Sequence, residues 1–205
     1  MTRKKPFVLG LTGSIGMGKS TTAGFFRKAG IPVWDADAAV HRLYAKDGAA
    51  VAGIAEICPE AVIDNSVHRD RLRLWIAKDP GAIAKLNTVV HPLVAKDRAD
   101  FIAQAADQAQ PLVVVDVPLL YETRAEGRVD AVLVVSAPPD IQKARVLARD
   151  GMTEDHFNTI LSKQLPDAEK RKRADFVIET LSLDAVEQEV KNLLLDLQKR
   201  MDADA

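Results

Sequence analysis

Apolar residues along this chain follow two rhythms. Short, nearly continuous apolar runs occur at Phe7-Val8-Leu9-Gly10-Leu11, Ile31-Pro32-Val33-Trp34, Leu112-Val113-Val114-Val115, Val129 to Val135 and Phe176-Val177-Ile178. Runs of this kind suit strands buried on both faces of a parallel sheet. Between them the apolar residues fall at helical spacing. Thr21 to Lys28 reads as a helix with Ala23, Phe26 and Ala29 inward. A last helix, capped by Ser182, carries a stripe of Leu183, Val186, Val190, Leu193, Leu194, Leu197 and Met201, which makes one docking face. The tail after Met201 is expected to fray. Strands separated by helical segments predict an α/β fold with a five-stranded parallel sheet flanked by helices.

The stretch from Ala38 to Gln110 breaks this alternation, because it reads as mostly helical. Val40, Leu43 and Tyr44 begin one amphipathic segment, and Leu72, Trp75 and Ile76 mark a second over Arg71 to Lys78. Ile83, Leu86, Val89 and Val90 form a third, which should stop or kink at His91-Pro92, since proline disfavours helical geometry in the residue before it. Leu93 to Gln108 is a fourth. This is too long for one crossover, so a helical insertion is expected. The only strand-like stretch inside it is Ala61-Val62-Ile63. Beyond the fourth sheet strand, Pro138-Pro139-Asp140 turns into a helix carrying Lys143, Arg145 and Arg149 and ending at Gly151. Thr153 can cap a further helix running to about Leu165, with Glu154 and Asp155 in its first turn.

Composition narrows the class. Of 205 residues, 47% are hydrophobic, enough for a substantial core, and the net charge of -1 gives no reason to expect a nucleic-acid partner. Cys58 is the only cysteine, so neither an internal disulfide nor a cysteine metal cluster can form. The basic start Thr2-Arg3-Lys4-Lys5 precedes an apolar run, as in a signal peptide. That run leads straight into a glycine-rich loop, and no small-residue cleavage site is evident. No stretch approaches the roughly 18 apolar residues of a membrane span. The expectation is a cytoplasmic protein with no membrane partner.

The chemistry starts at Gly13-Ser14-Ile15-Gly16-Met17-Gly18-Lys19-Ser20, followed by Thr21. It matches G-x-x-x-x-G-K-[ST], the phosphate-binding loop, and lies between a strand and a helix as that loop must. Glycines let successive N–H groups point at one anion, and the helix N-terminus favours negative charge. Lys19 can neutralise the β- and γ-phosphates, and the Ser20 hydroxyl can reach Mg²⁺. The second apolar strand with an acidic end, Leu112 to Val115 followed by Asp116, is the pattern of a strand whose aspartate holds that Mg²⁺.

Asp35 and Asp37 stand at the carboxyl end of a strand, where ligands of open α/β sheets bind. Were the strand to continue to Asp37, the two carboxylates would share one side. Asp37 reads as the cap of a helix starting at Ala38, or as a base taking a proton from an acceptor hydroxyl during phosphoryl transfer. The two roles are compatible. Asp35 reads otherwise as a solvated turn residue. Arg145 and Arg149 read as an exposed face pairing with Asp150 or Glu154, or as guanidinium groups brought onto transferring phosphates. Lys170-Arg171-Lys172-Arg173 reads as a solvated basic face diluted by Asp167, Glu169 and Asp175, with Arg173 a candidate nucleotide contact. His91 reads as a helix-end histidine or a substrate contact. His41, His68 and His156 show no metal-ligand spacing, and Trp34 and Trp75 read as packing residues.

Together Leu11-Thr12-Gly13-Ser14-Ile15-Gly16-Met17-Gly18-Lys19-Ser20-Thr21, Asp35-Ala36-Asp37, His91-Pro92, Asp116-Val117-Pro118-Leu119-Leu120-Tyr121-Glu122 and Ala174-Asp175-Phe176-Val177-Ile178 resemble the dephospho-coenzyme A kinase family, in order and spacing from about residue 7 to 200. The resemblance implies a P-loop kinase that moves the γ-phosphate of ATP, with Mg²⁺, to the ribose 3′-hydroxyl of dephospho-CoA. It implies one domain with three regions: a core of about 1-37, 110-137 and 174-205, an acceptor-binding insertion of about 38-109, and a lid of about 138-173. It implies Asp37 as base, Lys19 and Arg145 as further catalytic residues, and Arg145 and Arg149 on the nucleotide. It implies Asp35, Asp37, His91, Pro92, Asp116, Leu119 and Leu120 on the acceptor side. Ser14 stands where the family often has glycine and Tyr121 where it usually has phenylalanine. Glu179-Thr180-Leu181 follows Ile178 in place of the common Asn-x-Gly.

Three other readings share some of these features. A nucleoside monophosphate kinase would show the same strands and arginines but not the acceptor segments. A GTP-dependent switch would need the N-K-x-D guanine signature, which the chain lacks. A CoA-binding module without catalysis would not need Lys19, Asp37, Arg145 and Arg149 together.

Overall fold

The first apolar run forms β1 (Phe7–Thr12), and the glycine-rich loop joins it to α1 (Lys19–Lys28). The structure, a computed structural model, describes residues 5–203. The basic residues Thr2-Arg3-Lys4 and the last two residues of the tail lie outside the described residues. α1 begins at Lys19, two residues before the apolar spacing suggested. Thr22, Ala23 and Phe26 are its buried positions. Ala29, expected inward, is exposed, because the helix has ended and Ala29 is its cap, donating to the Phe25 and Phe26 carbonyls.

β2 (Val33–Asp35) gives way at once to α2 (Ala36–Tyr44). α3 (Val51–Ile57), β3 (Val62–Ile63), β4 (Ser66–Val67), α4 (Arg69–Lys78) and α5 (Ala82–Asp107) follow. The chain then returns to β5 (Leu112–Asp116) and β6 (Ala131–Ser136). α6 (Pro139–Leu147), α7 (Glu154–Leu161), α8 (Asp167–Arg173), β7 (Phe176–Glu179) and α9 (Leu183–Ala203) complete it. The sheet order is β2-β5-β1-β6-β7, all parallel, as expected from the sequence. β1 lies at its centre, with Leu9 opposite Val114 on one side and Ala131 on the other.

Two compact units divide the described residues. One comprises the chain up to Trp34 and from Ala105 onward; the other is Asp35–Gln104. In the first, successive residues of β6 serve opposite faces of the sheet. Leu133 and Val135 pack with Phe26, Val190 and Leu197 under α1 and α9, while Val132 and Val134 pack with Leu120 and Tyr121. This is the period of two expected of a strand covered on both sides. Leu133 has no exposed surface, so its truncation to alanine should cost about 2–5 kcal/mol. In α9, Val186, Val190, Leu193 and Leu197 are buried, but Leu183, assigned to the stripe, is 65% exposed because it begins the helix. Met201 does not end order: the helix continues through Asp202 and Ala203.

The Asp35–Gln104 unit has its own core, in which Leu43, Ile54, Leu72 and Val90 are buried and Trp75, Leu86 and Val89 pack on them. Its helical character is as expected, with one addition. Val62↔Val67 and Ile63↔Ser66 pair as a two-stranded hairpin. Its two-residue turn, Asp64-Asn65, has φ of 49° and 57°, the left-handed pair that this tight turn requires and that Asp and Asn tolerate. The expected break at His91-Pro92 does not occur. α5 runs unbroken across Pro92. Proline inside a helix costs about 3 kcal/mol, but Leu86, Val89 and Val90 before it and Leu93 and Val94 after it all pack on this core. Their burial outweighs one missing N–H.

α6 ends at Leu147, before Arg149, and α7 ends at Leu161 rather than near Leu165. The basic run Lys170 to Arg173 is helical, the end of α8.

Candidate functional site

The loop between β1 and α1 is wedged under α6 and the segment after β7. Gly16 has φ of 77°, and a Cβ there would stand 2.5 Å from Val146 Cγ2 on α6. Gly18 has φ of 82°, and a Cβ there would meet the Thr180 side chain at 3.0 Å. Both positions therefore need glycine for backbone freedom and for room. Ser14 is buried, and Met17 is 2% exposed with its sulfur accepting from the Ala137 N–H at 3.0 Å. Gly13 is buried, Ile15 half-buried, and Ser20 and Thr21 are exposed in the first turn of α1.

Lys19 projects from the start of α1, and its Nζ donates to Asp116 Oδ1 at the end of β5. Asp116 is 1% exposed. The two residues that the spacing had linked only by motif are thus in direct contact, placed by adjacent strands of the sheet. Thr12 Oγ1 donates to the Pro118 carbonyl at 3.2 Å, and the Val117 N–H donates to the Leu11 carbonyl at 2.9 Å. These bonds fix the segment after Asp116 beside the loop. In that segment Leu119 is exposed. Leu120 is fully buried beside Tyr121, Val132 and Val134, so its side chain packs and can act on a ligand only by holding Leu119.

Arg145 reaches Thr180, with Nη1 donating to Oγ1 at 2.9 Å and Nη2 donating to the carbonyl oxygen. The Thr180 hydroxyl donates to the Met17 carbonyl at 3.0 Å. Arg145, Arg149, Gly16, Gly18, Thr21 and Thr180 line one cavity of about 340 Å³, closed on its apolar side by Leu181, Leu183 and Val186. Arg149 reaches it from the turn after α6, not from the helix. Lys143, not the arginines, pairs with Glu154.

In the Asp35–Gln104 unit, the carboxylates at the strand end separate in role. Asp35 is the cap of α2, its Oδ1 accepting from the Ala38 N–H at 2.9 Å. Asp37, read from sequence as a cap or a base, does not cap the helix but stands exposed in its first turn. Because β2 ends at Asp35, the two-residue alternation that would have aligned them does not apply. His91 and Pro92 are exposed on α5.

The basic run is not a solvated face throughout. Lys170 has no exposed surface and lies 2.9 Å from Glu122 Oε1, which also accepts from the Leu165 N–H at 2.8 Å. Burial acts to raise the Glu122 carboxyl, but the Lys170 ammonium and the Leu165 N–H outweigh it and hold the group below its ordinary value. Arg173, the candidate nucleotide contact, is instead committed to Glu126 and stacks 4.4 Å over the Tyr121 ring. Arg171 pairs with Glu179 at 2.8 Å. Glu122 and Glu126, the partners of Lys170 and Arg173, lie far earlier in the chain, so local charge density could not reveal them.

Thr180 and two glutamines, Gln142 and Gln164, were not singled out from sequence, although all three bond to the loop or to Arg145. The one available signal was Gln142 at i−3 from Arg145. Among the described residues no three His, Cys, Asp or Glu side chains cluster to hold a metal alone. The Ser20 hydroxyl and Asp116 carboxylate are hard oxygen donors of the kind Mg²⁺ takes when nucleotide phosphates and water complete its shell, so the donor set fits that ion.

A family model for dephospho-CoA kinase matches residues 7–184. The dephospho-CoA kinase of Cereibacter sphaeroides is 54% identical over 199 residues, covering 97% of this chain and 100% of that protein. That of Brucella melitensis is 50% identical over 191 residues, covering 93% and 94%. A crystal structure of a Thermus thermophilus protein superposes with a TM-score of 0.81 at 36% identity, covering 95% of this chain and 99% of that one. Dephospho-CoA kinase from Campylobacter jejuni, at 20% identity and a TM-score of 0.65, shares the fold. Because the family match runs from the first residue of β1 into the first turn of α9, it takes in every element that carries the residues above, and the chain belongs to the dephospho-CoA kinase family.

Proposed function

We propose that this chain transfers the γ-phosphoryl group of ATP to the ribose 3′-hydroxyl of dephospho-CoA, giving CoA and ADP. The observation that carries this reading is Lys19 bonded to the strand-end Asp116 beneath a phosphate loop, in a chain whose family match spans residues 7–184. In the reaction the 3′-oxygen forms a bond to the γ-phosphorus while the bond to the β–γ bridging oxygen breaks. The electron pair leaves with ADP, and the hydroxyl proton passes to Asp37. Such transfers rest on positioning and charge stabilisation. The N–H groups of residues 13–20 hold the phosphates, except those of Ile15 and Met17, which bond to Gln164 and to the Ser14 carbonyl, and Lys19 turns its ammonium from Asp116 toward the β- and γ-oxygens. Arg145 and Arg149 bring planar multi-donor heads to the same charge. Mg²⁺, held by Ser20 and Asp116, neutralises phosphate oxygens when bound.

Asp35, Asp37, His91 and Pro92 are assigned to the acceptor within the Asp35–Gln104 unit, and Asp116 and Leu119, with Leu120 as support, within the other unit. On this reading residues of about 38-109 bind the acceptor, those of about 138-173 act as the lid, and the rest is the core. A cytoplasmic location accompanies it.

The test offers ATP with dephospho-CoA, AMP and shikimate in parallel, following ADP release and product mass. Phosphorylation of dephospho-CoA alone is expected. Turnover of AMP or shikimate without dephospho-CoA would overturn the acceptor assignment.

A further inference from the structure

The backbone of one phosphate-loop residue, Ile15, is held on both sides by side chains, at its N–H and at its carbonyl. The Ile15 N–H donates to Gln164 Oε1 at 3.1 Å, and the Ile15 carbonyl accepts from Gln142 Nε2 at 2.7 Å. Gln142 lies on α6 and is 6% exposed; Gln164 is half-buried in the turn between α7 and α8. The orientation of both amides is dictated by the backbone. An N–H can only donate and a carbonyl can only accept, so Gln164 must offer its oxygen and Gln142 its nitrogen. The next residue, Gly16, is packed so closely on α6 that a Cβ would stand 3.0 Å from the Gln142 carbonyl. Three residues along the same helix, Arg145 grips Thr180, which in turn bonds to Met17 in the loop.

We propose that Gln142 and Gln164 are positioning residues for the nucleotide. They clamp the two peptide groups that flank Ile15, set the direction of the loop N–H groups that follow, and tie that geometry to the helix bearing Arg145. Neither glutamine need touch the nucleotide; each acts through the backbone. The inference rests on the kinase reading, because only a bound phosphate makes the direction of those N–H groups matter. Loss of either clamp leaves a polar group of Ile15 without its partner in a crowded site and lets the loop relax.

The test uses Gln142→Leu, Gln164→Leu, Gln142→Glu and the double leucine variant, with steady-state kinetics for ATP and dephospho-CoA and calorimetric ADP affinity. Each leucine variant should raise KM for ATP by about 5–20-fold, the size expected when a buried hydrogen-bond partner is removed. ADP affinity should weaken in step, while KM for dephospho-CoA stays within about twofold, since phosphate binding alone is altered. Gln142→Glu should be at least as harmful as Gln142→Leu, because a carboxylate would face the Ile15 carbonyl. The double variant should lose less than the product of the single losses, since both act on the backbone of one residue.

The proposal is overturned if folded variants keep KM for ATP and ADP affinity within about twofold of wild type, or if both substrates' KM values rise alike. A fall in melting temperature without a change in nucleotide affinity also overturns it, as a purely structural role. Should Gln142→Leu fail to fold, Gln164→Leu decides. If wild-type protein does not phosphorylate dephospho-CoA, the kinase reading fails, and the ADP affinities still judge the clamp separately.

Discussion

Arg145 holds Thr180 at both its hydroxyl and its carbonyl, and the same hydroxyl donates to Met17 in the phosphate loop. Thr180 is 3% exposed, so it couples α6, the end of β7 and the loop through one buried group. Thr180→Val keeps the shape and removes the hydroxyl. Urea unfolding should show a loss of about 1–3 kcal/mol, because the Met17 carbonyl loses its donor. Thr180→Ser should restore most of it.

Arg145→Lys keeps the charge and loses the fork. If the guanidinium stabilises the transferring phosphoryl group, kcat should fall by about 10²-fold, with a smaller effect on unfolding. Unchanged single-turnover rates would make Arg145 a packing residue only.

Lys19→Ala removes the ammonium from both the phosphates and Asp116. A drop in kcat of about 10²–10³-fold is expected from the loss of one preorganised charge at the reacting group. Near wild-type turnover in this variant would end the phosphate-loop assignment.

The two aspartates at and just past the end of β2 should respond in opposite ways. Asp35 caps α2, so Asp35→Ala should lower stability by about 1 kcal/mol. Asp37 is exposed and bears no cap, so Asp37→Asn should leave the melting curve nearly unchanged while kcat falls about 10²–10⁴-fold, the contribution of a general base. A stability loss at Asp37 with unaltered kcat would reverse the roles.

The Glu122–Lys170 pair predicts a pH dependence. The Glu122 carboxyl is held below its ordinary value of 4.5. A lowered folded-state value means the pair stabilises the fold at pH above the ordinary value, and that this stability is lost as pH falls through the folded value. Glu122→Gln should therefore flatten the acid limb of a stability–pH profile. At neutral pH it should cost about 3–5 kcal/mol, because Lys170 keeps a buried charge without its counter-ion. Adding Lys170→Met should recover much of that loss. Identical acid limbs in wild type and Glu122→Gln would show that the pair does not contribute.

Local chemistry wrote much of this protein into its sequence. Continuous apolar runs marked the five sheet strands, since a strand covered on both faces tolerates few polar residues. The spacing of glycines before Lys19 and Ser20 marked the phosphate loop, since few other residues fit its backbone. Thr153 and Ser182 marked two helix starts, and each hydroxyl accepts an N–H from its helix as expected. Other features depended on partners far away in the chain. Pro92 looked like a break because the core that α5 packs on is assembled from distant residues of α2, α3, β3, β4 and α4. Lys170 looked solvated because Glu122 lies 48 positions earlier. Asp35 and Asp37 were told apart only by where β2 stops.

Residue types alone marked a loop of phosphate-binding pattern after the first strand and a parallel α/β sheet. Both follow from residue types at short, fixed separations. Tertiary structure alone decided that Lys19 meets Asp116, that Thr180 joins Arg145 to the loop, and that two glutamines clamp Ile15. These contacts link residues 35 to 163 positions apart, and only adjacent strands and a helix packed on the loop could bring them within hydrogen-bond reach.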